Sequence, residues 1–222
     1  MNLLLISIIC LGIVTSYVSI PLLYGLWQRR RLAKKTQAKR AIVLTFDDGP
    51  GSRLTPAILQ ILKEYRAKAT FFLLGRNVVK HKQIVRQIFD EGHEICSHGY
   101  DHLDQWATSP IRALKDIKLG WQTINLALGV NRNTYPFRPP RGRLNLICLL
   151  YLLARRVPIV YWSSDLGDTW LDTIEPQKTS DLVNKNHGTV LLAHDFDRAE
   201  NEVGVENLIL EAIQVALKTA KQ

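Results

Sequence analysis

Cysteine is scarce in this 222-residue chain: Cys10, Cys96 and Cys148 are widely spaced, and no Cys-x-x-Cys pair occurs. That excludes a disulfide framework and a cysteine-built zinc site, and leaves the thiols as small apolar packing residues. Internal repeats and low-complexity segments are also missing, so the length and the 46% hydrophobic content fit one sizeable α/β domain with a full core. Acidic residues are missing before residue 41. Arg29, Arg30, Arg31, Lys34, Lys35, Lys39 and Arg40 therefore supply seven of the nine net positive charges, and residues 41–222 carry only +2. A nearly neutral domain with no basic helix face argues against a nucleic-acid partner.

What the N-terminus does have is a predominantly apolar run from Leu3 to Trp27, broken only by residues such as Ser7, Thr15, Ser16, Ser19 and Pro21. It is long enough to span a bilayer. A cleaved signal peptide, with Leu3 to Val14 as its apolar region and Val14-Thr15-Ser16 as its cleavage site, competes with a retained anchor. No Lys or Arg precedes the run, which favours the anchor. The expectation is a single-pass membrane protein with an N-terminal transmembrane helix in residues 1–28, a basic linker in 29–40 and a folded domain in 41–222. Because the cationic cluster follows the span, the positive-inside rule places that domain in the cytoplasm.

Beyond the linker, strand-like and helix-like segments alternate. Strands are expected at 41–46, 69–74, 93–97, 134–138, 158–163 and 189–193. Helices are expected at 55–65, with Thr55 as N-cap, and at 77–91, 109–128, 144–156, 178–186 and 205–218. This alternation points to βα units around a largely parallel sheet, open or closed into a barrel, with function at the carboxyl ends of the strands.

Unusual polar clusters follow those strands. After the first come Asp47-Asp48-Gly49-Pro50, two adjacent carboxylates where a buried strand gives way to a turn. Such a pair is costly unless it faces a cation or handles a proton, although an Asx turn that only bonds backbone is the competing reading. After the third comes His98-Gly99-Tyr100-Asp101-His102. The four-residue spacing would put both imidazoles on one face of a helical turn, where they could share a metal with a carboxylate; surface histidines compete. Arg138-Pro139-Pro140-Arg141-Gly142 follows the fourth strand, in a loop stiffened by two prolines, with Arg138 able to hold a carboxylate. The fifth ends in Ser163-Ser164-Asp165-Leu166-Gly167-Asp168-Thr169-Trp170. The sixth ends in Leu192-Ala193-His194-Asp195.

These five clusters, in this order across most of residues 41–215, resemble the motifs of the polysaccharide deacetylase family, the domain of chitin-oligosaccharide and peptidoglycan N-deacetylases. The resemblance implies a distorted (β/α) barrel and a divalent metal, usually zinc, with an acetylated carbohydrate as substrate. By similarity, Asp47 would be the general base, Asp48, His98 and His102 the metal ligands, and His194 the general acid. Arg138 would orient Asp47 and Asp168 would tune His194. The Arg141 N–H would serve the oxyanion, Leu192 would line the acetate pocket and Trp170 would wall the groove. The family would place the domain on the envelope side of a membrane.

Three positions depart from the family pattern. Gly99 stands where Ser or Thr is usual, which removes a loop hydrogen bond. Asp168 is separated from Trp170 by Thr169, where the family has Asp-Trp, and Arg141 replaces a frequent Tyr. Two alternatives stay open: a deformylase or deacetylase of a lipid-linked sugar at the cytoplasmic membrane face, and a carbohydrate-binding relative without catalysis. Oligomeric state is not encoded in any feature of the sequence.

Overall fold

Parallel strands are covered on both faces, so they read as near-continuous apolar runs. In a computed structural model, which describes residues 3–169, 175–186, 188–199 and 203–220, such runs form β1 (Ile42–Asp47), β2 (Ala69–Leu73), β3 (Glu94–Ser97) and β5 (Thr189–His194). With the two-residue β4 (Ser164–Asp165), they make a parallel sheet in the order β3-β2-β1-β5-β4. The register sets Asp47 opposite both Phe72 and His194, and Phe72 opposite Cys96, so the carboxyl ends gather at one rim.

Two expected strands shrink. Residues 134–138 reduce to bridges from Phe137 to Ser97 and Ile159. Pro136 and Pro139 flank Phe137 and have no N–H to donate to a ladder. The segment 158–166 then crosses over. Val160 N donates to Phe137 O at 2.9 Å, and further on Ser163 N donates to Val190 O at 3.0 Å and Leu166 N to Leu192 O at 2.9 Å. One stretch of chain thus hydrogen-bonds both to Phe137, which is itself bridged to β3, and to β5, beside which it forms the edge strand β4.

The helices are α1 (Leu3–Lys39), α2 (Leu54–Glu64), α3 (Gly75–Lys80), α4 (Lys82–Asp90), α5 (Pro110–Leu128), α6 (Leu146–Ala154), α7 (Pro176–Asn186) and α8 (Val203–Ala220). The expected helix 77–91 is split at His81, whose φ −126° and ψ 44° are not helical. α5 ends as expected at Gly129, left-handed at φ 66°. Thr55 is not the N-cap of α2. Its hydroxyl lies 2.7 Å from Asp195 Oδ2, and the orphan N–H groups of Ser52, Arg53 and Leu54 donate instead to the Asp197 carboxylate at 2.6, 2.9 and 3.1 Å. The core is aromatic and aliphatic, with Phe46 stacked on Phe71 at 5.1 Å and Ile58, Ile88, Ile117, Ile124 and Ile209 fully buried. Each such side chain contributes roughly 1.5–3 kcal/mol. Cys96 and Cys148 are buried in it as free thiols; burial pushes both up, Cys148 to about 12.

The N-terminal segment departs from expectation. No helix among the described residues is long and apolar enough to cross a membrane, so the transmembrane helix and the single-pass localisation are not supported. α1 instead continues unbroken through residues 29–39, where a linker was expected, and packs against α6 and β5. Pro21 and Gly25 are buried, and a Cβ on Gly25 would lie 3.2 Å from the Tyr161 ring. Arg29 stacks on Trp162 at 3.7 Å. This face is taken up by protein contacts, and Thr15, Ser16, Tyr17 and Ser19 interrupt the apolar run.

Candidate active site

β1 delivers Asp47 and Asp48 to the rim, and the two are held differently. Asp47 is buried, and its Oδ1 accepts from Arg138 Nη1 at 2.7 Å. Arg138 is wholly buried. It also donates to Thr45 Oγ1 at 3.0 Å and to Tyr161 O at 3.2 Å, and its guanidinium lies 3.9 Å from the Phe72 ring centre. A guanidinium with no counter-charge here would be several kcal/mol less favourable, so Asp47 and Arg138 stand together. Burial raises the Asp47 carboxyl above the ordinary carboxylate range, against the opposing charge and hydrogen bond of Arg138. A carboxylate of raised basicity is suited to taking up a proton.

Asp48 turns the other way because its backbone is left-handed, at φ 70°. Its Oδ1 lies 3.5 Å from His98 Nε2 and 3.5 Å from His102 Nε2, is buried, and has no hydrogen-bond partner. The three candidate ligand atoms all lie within 4.8 Å of one another. His98 Nδ1 sits 2.8 Å from Arg138 O, so it carries the proton donated to that carbonyl and Nε2 turns a lone pair toward Asp48. Burial lowers the His98 pKa to about 3 against the opposing charge of Asp48, keeping the imidazole neutral as a ligand must be. An unpaired buried carboxylate oxygen flanked by two imidazole nitrogens fits a divalent cation of the zinc type.

The two histidines do not share a helical turn. They lie in a loop that bends at Gly99 (φ 87°) and at His102 (φ 58°). Left-handed backbone at Asp48 and His102 costs about 1–3 kcal/mol each, held in place by the surroundings. The clamp comes from α5: Asp116 accepts from Tyr100 N at 3.0 Å and from Asp101 N at 2.8 Å. A Cβ at Gly99 would meet Asp116 Oδ2 at 2.3 Å. The absent Ser or Thr hydroxyl is thus replaced by a carboxylate standing where that side chain would go. Sequence reading missed Asp116, whose signal was a lone acid near the apolar stripe of α5.

At the end of β5, His194 Nδ1 donates to Asp168 Oδ1 at 2.8 Å, and the His194 main-chain N–H donates to Asp168 Oδ2 at 2.8 Å. Asp165 instead accepts from Gly167 N at 2.9 Å in a local turn. Arg198, also missed, bonds the Asp168 carbonyl oxygen and lies 3.8 Å from its carboxylate. Burial disfavours a charged His194, but the hydrogen bond and charge of Asp168, with Asp47 and Asp48, outweigh it and raise the pKa to about 9. The imidazolium therefore persists through neutral pH. Its contribution to stability is full below about 6.5 and is lost as pH rises through about 9.

Asp195 was also missed. It is fully buried, and burial pushes its pKa up to about 7. A Cβ on Gly49 would meet its carboxyl oxygens at 2.2 Å, so only glycine leaves room there. Leu192 is buried one strand from Asp47, and the Arg141 backbone is left-handed (φ 56°) with its side chain 3.5 Å from Asp104. Trp170 lies outside the described residues.

Residues 34–154 match the family model for polysaccharide deacetylase. The chain is 35% identical over 182 residues to a peptidoglycan-N-acetylglucosamine deacetylase of Bacillus cereus, covering 82% of this chain and 64% of that one. It is 31% identical over 166 residues to the peptidoglycan-N-acetylglucosamine deacetylase PgdA of Listeria monocytogenes, 74% of this chain but only about a third, 34%, of the relative. The crystal structure of the Bc1960 peptidoglycan N-acetylglucosamine deacetylase superposes with a TM-score of 0.63 at 30% identity, covering 81% of this chain and 83% of that one. With the matched region taking in more than half of the residues and three of the rim clusters, the chain belongs to the polysaccharide deacetylase family.

Proposed function

We propose that this protein is a metal-dependent hydrolase that removes acetyl groups from N-acetylated sugars of a polysaccharide, with residues 41–222 as its catalytic domain. The observation that carries the reading is the unpaired Asp48 Oδ1 between His98 Nε2 and His102 Nε2, beside the Asp47–Arg138 pair. Asp48, His98 and His102 would hold the metal. When bound, it would supply Lewis acidity toward the acetyl carbonyl and acidify water.

The remaining work falls to the chain's own groups. Arg138 occupies Asp47 Oδ1, so Oδ2 is the oxygen that takes the proton of the attacking water. Asp168 occupies His194 Nδ1, so Nε2 is the atom that gives a proton to the departing nitrogen, which is a poor leaving group unless protonated. The Arg141 N–H is assigned to the oxyanion and Leu192 to the acetyl methyl group. N-acetyl sugars are favoured over O-acetyl ones because a charged imidazole acid serves an amine leaving group. The lipid-linked alternative rested on the membrane span and loses that support.

The test is acetate release from chitin oligomers, peptidoglycan fragments and acetylated xylan, with and without chelator. Chelator-sensitive release from an N-acetylated substrate is expected. Binding without release by metal-loaded protein would make this a carbohydrate-binding relative. A second measurement addresses the acid. In Asp168→Asn, the basic limb of kcat/KM, set by a group titrating near 9, should move down by about 1–3 pH units as His194 loses its counter-charge. An unmoved limb would assign it to another group.

A further inference from the structure

Arg29 lies on α1, ahead of residues 34–154 that the family model matches, so membership of the family gives it no role. It is half-buried, and its guanidinium stands 3.7 Å from the centre of the Trp162 ring and 5.4 Å from that of Tyr161. The helix is fixed on either side of it. A Cβ on Gly25 would lie 3.2 Å from the Tyr161 ring, and Thr36 Oγ1 lies 3.3 Å from Gly188 O. A Cβ on Gly188 would meet Thr36 O at 2.3 Å, so the two backbones are in direct contact there.

The same stack borders the turn that carries the Arg141 N–H. Arg141 and Gly142 are both left-handed, at φ 56° and 68°, and Gly142 N and Arg143 N donate to Pro139 O and Pro140 O at 2.9 and 3.0 Å. One flank of the turn is tied to Asp104, which accepts from Arg143 Nη1 at 2.6 Å. On the other flank, a Cβ on Gly142 would meet Arg29 Nη2 at 2.5 Å and the Trp162 ring at 3.0 Å. Only glycine lets the guanidinium and the indole close onto this backbone. Two consecutive left-handed residues, one of them glycine, have little stiffness of their own, so what packs beside them sets their pose.

We propose that Arg29 is a positioning residue: stacked on Trp162 and filling the space beside Gly142, it holds the 140–142 turn in the pose that presents the Arg141 N–H to the oxyanion. The proposal rests on the deacetylase reading for the role of that N–H, and it makes α1 part of the working site. Removing one oxyanion donor costs about 10²–10³-fold in rate, and a displacement of about 1 Å can cost about 10²-fold. Loosening the turn while keeping the donor should therefore cost about 10–100-fold.

The experiment uses the full chain, loaded with metal. Arg29→Ala should lose about 10–100-fold in kcat on an N-acetylated oligomer, with KM and metal content unchanged. An unchanged kcat, an effect confined to KM, or a loss of metal would each overturn the proposal. Arg29→Gln, whose flat amide keeps part of the stack, should lose less, and it carries the comparison if the alanine variant does not fold. Hydrogen exchange supplies a readout without turnover. The Gly142 and Arg143 amides should exchange about two- to thirtyfold faster in Arg29→Ala, the worth of one half-buried cation–π contact, while the β1 amides keep their protection. Equal acceleration in β1 would make Arg29 a general stabiliser and overturn the positioning role. Combined with Trp162→Leu, Arg29→Ala should add no further loss, because both act through one stack; losses that multiply would overturn it. No acetate from the unaltered protein, with the exchange pattern as expected, would overturn the deacetylase reading and leave the hold on the turn standing.

Discussion

Asp47→Asn is expected to cut acetate release by about 10²–10⁴-fold while the protein keeps its metal. Asn is nearly isosteric and can still accept from Arg138 Nη1, so the loop geometry should persist. What disappears is the basic oxygen, and with it the ability to take up a proton from water. The substitution also leaves the buried Arg138 without a counter-charge, so some stability is lost, on the order of a few kcal/mol. Metal content, thermal unfolding and acetate release on one preparation separate these effects. Metal lost in parallel with activity would mean that Asp47, and not Asp48 alone, belongs to the ligand set, which its 3.7 Å approach to His98 Nε2 makes the sharpest rival assignment.

His98→Ala should do the opposite, abolishing metal binding and activity together. Outer-shell partners of metal ligands typically cost 10–100-fold in affinity when removed, and loss of the ligand itself should exceed about 100-fold. Two contributions vanish at once: the Nε2 lone pair, and the Nδ1 hydrogen bond to Arg138 O that ties this loop to the one bearing the arginine. Metal titration in a competing chelator measures the first. Full metal affinity in the variant would remove His98 from the cluster and, with it, the proposed centre.

Much of this centre was legible because strand ends are easy to read. Buried parallel strands announce themselves as unbroken apolar runs, so the positions of Asp47 and His194 followed from Ile42-Val43-Leu44 and from Val190-Leu191-Leu192-Ala193. Local spacing was less reliable. The interval from His98 to His102 suits a helical turn, yet Gly99 and a left-handed His102 make it a loop, and only the distant Asp116 explains its shape. Thr55 looked like a cap because caps are usually local, whereas Asp197 reaches α2 from across the fold. α1 was misread for a related reason. An apolar run followed by arginines has the pattern of a span and its flank, but the sequence does not announce that Gly25 faces Tyr161 and Arg29 faces Trp162.

The tie from Asp197 to the start of α2 also orders events during biosynthesis. Ser52 and Asp197 are 145 residues apart, and Asp195 supplies both an N–H to Asp47 O and a carbonyl to Gly51 N. A nascent chain leaving the ribosome therefore exposes its paired aspartates long before the residues that brace them have been translated. Contacts of such long range are entropically expensive and form late. Completion of the candidate site must wait for the final described strand and the loop behind it.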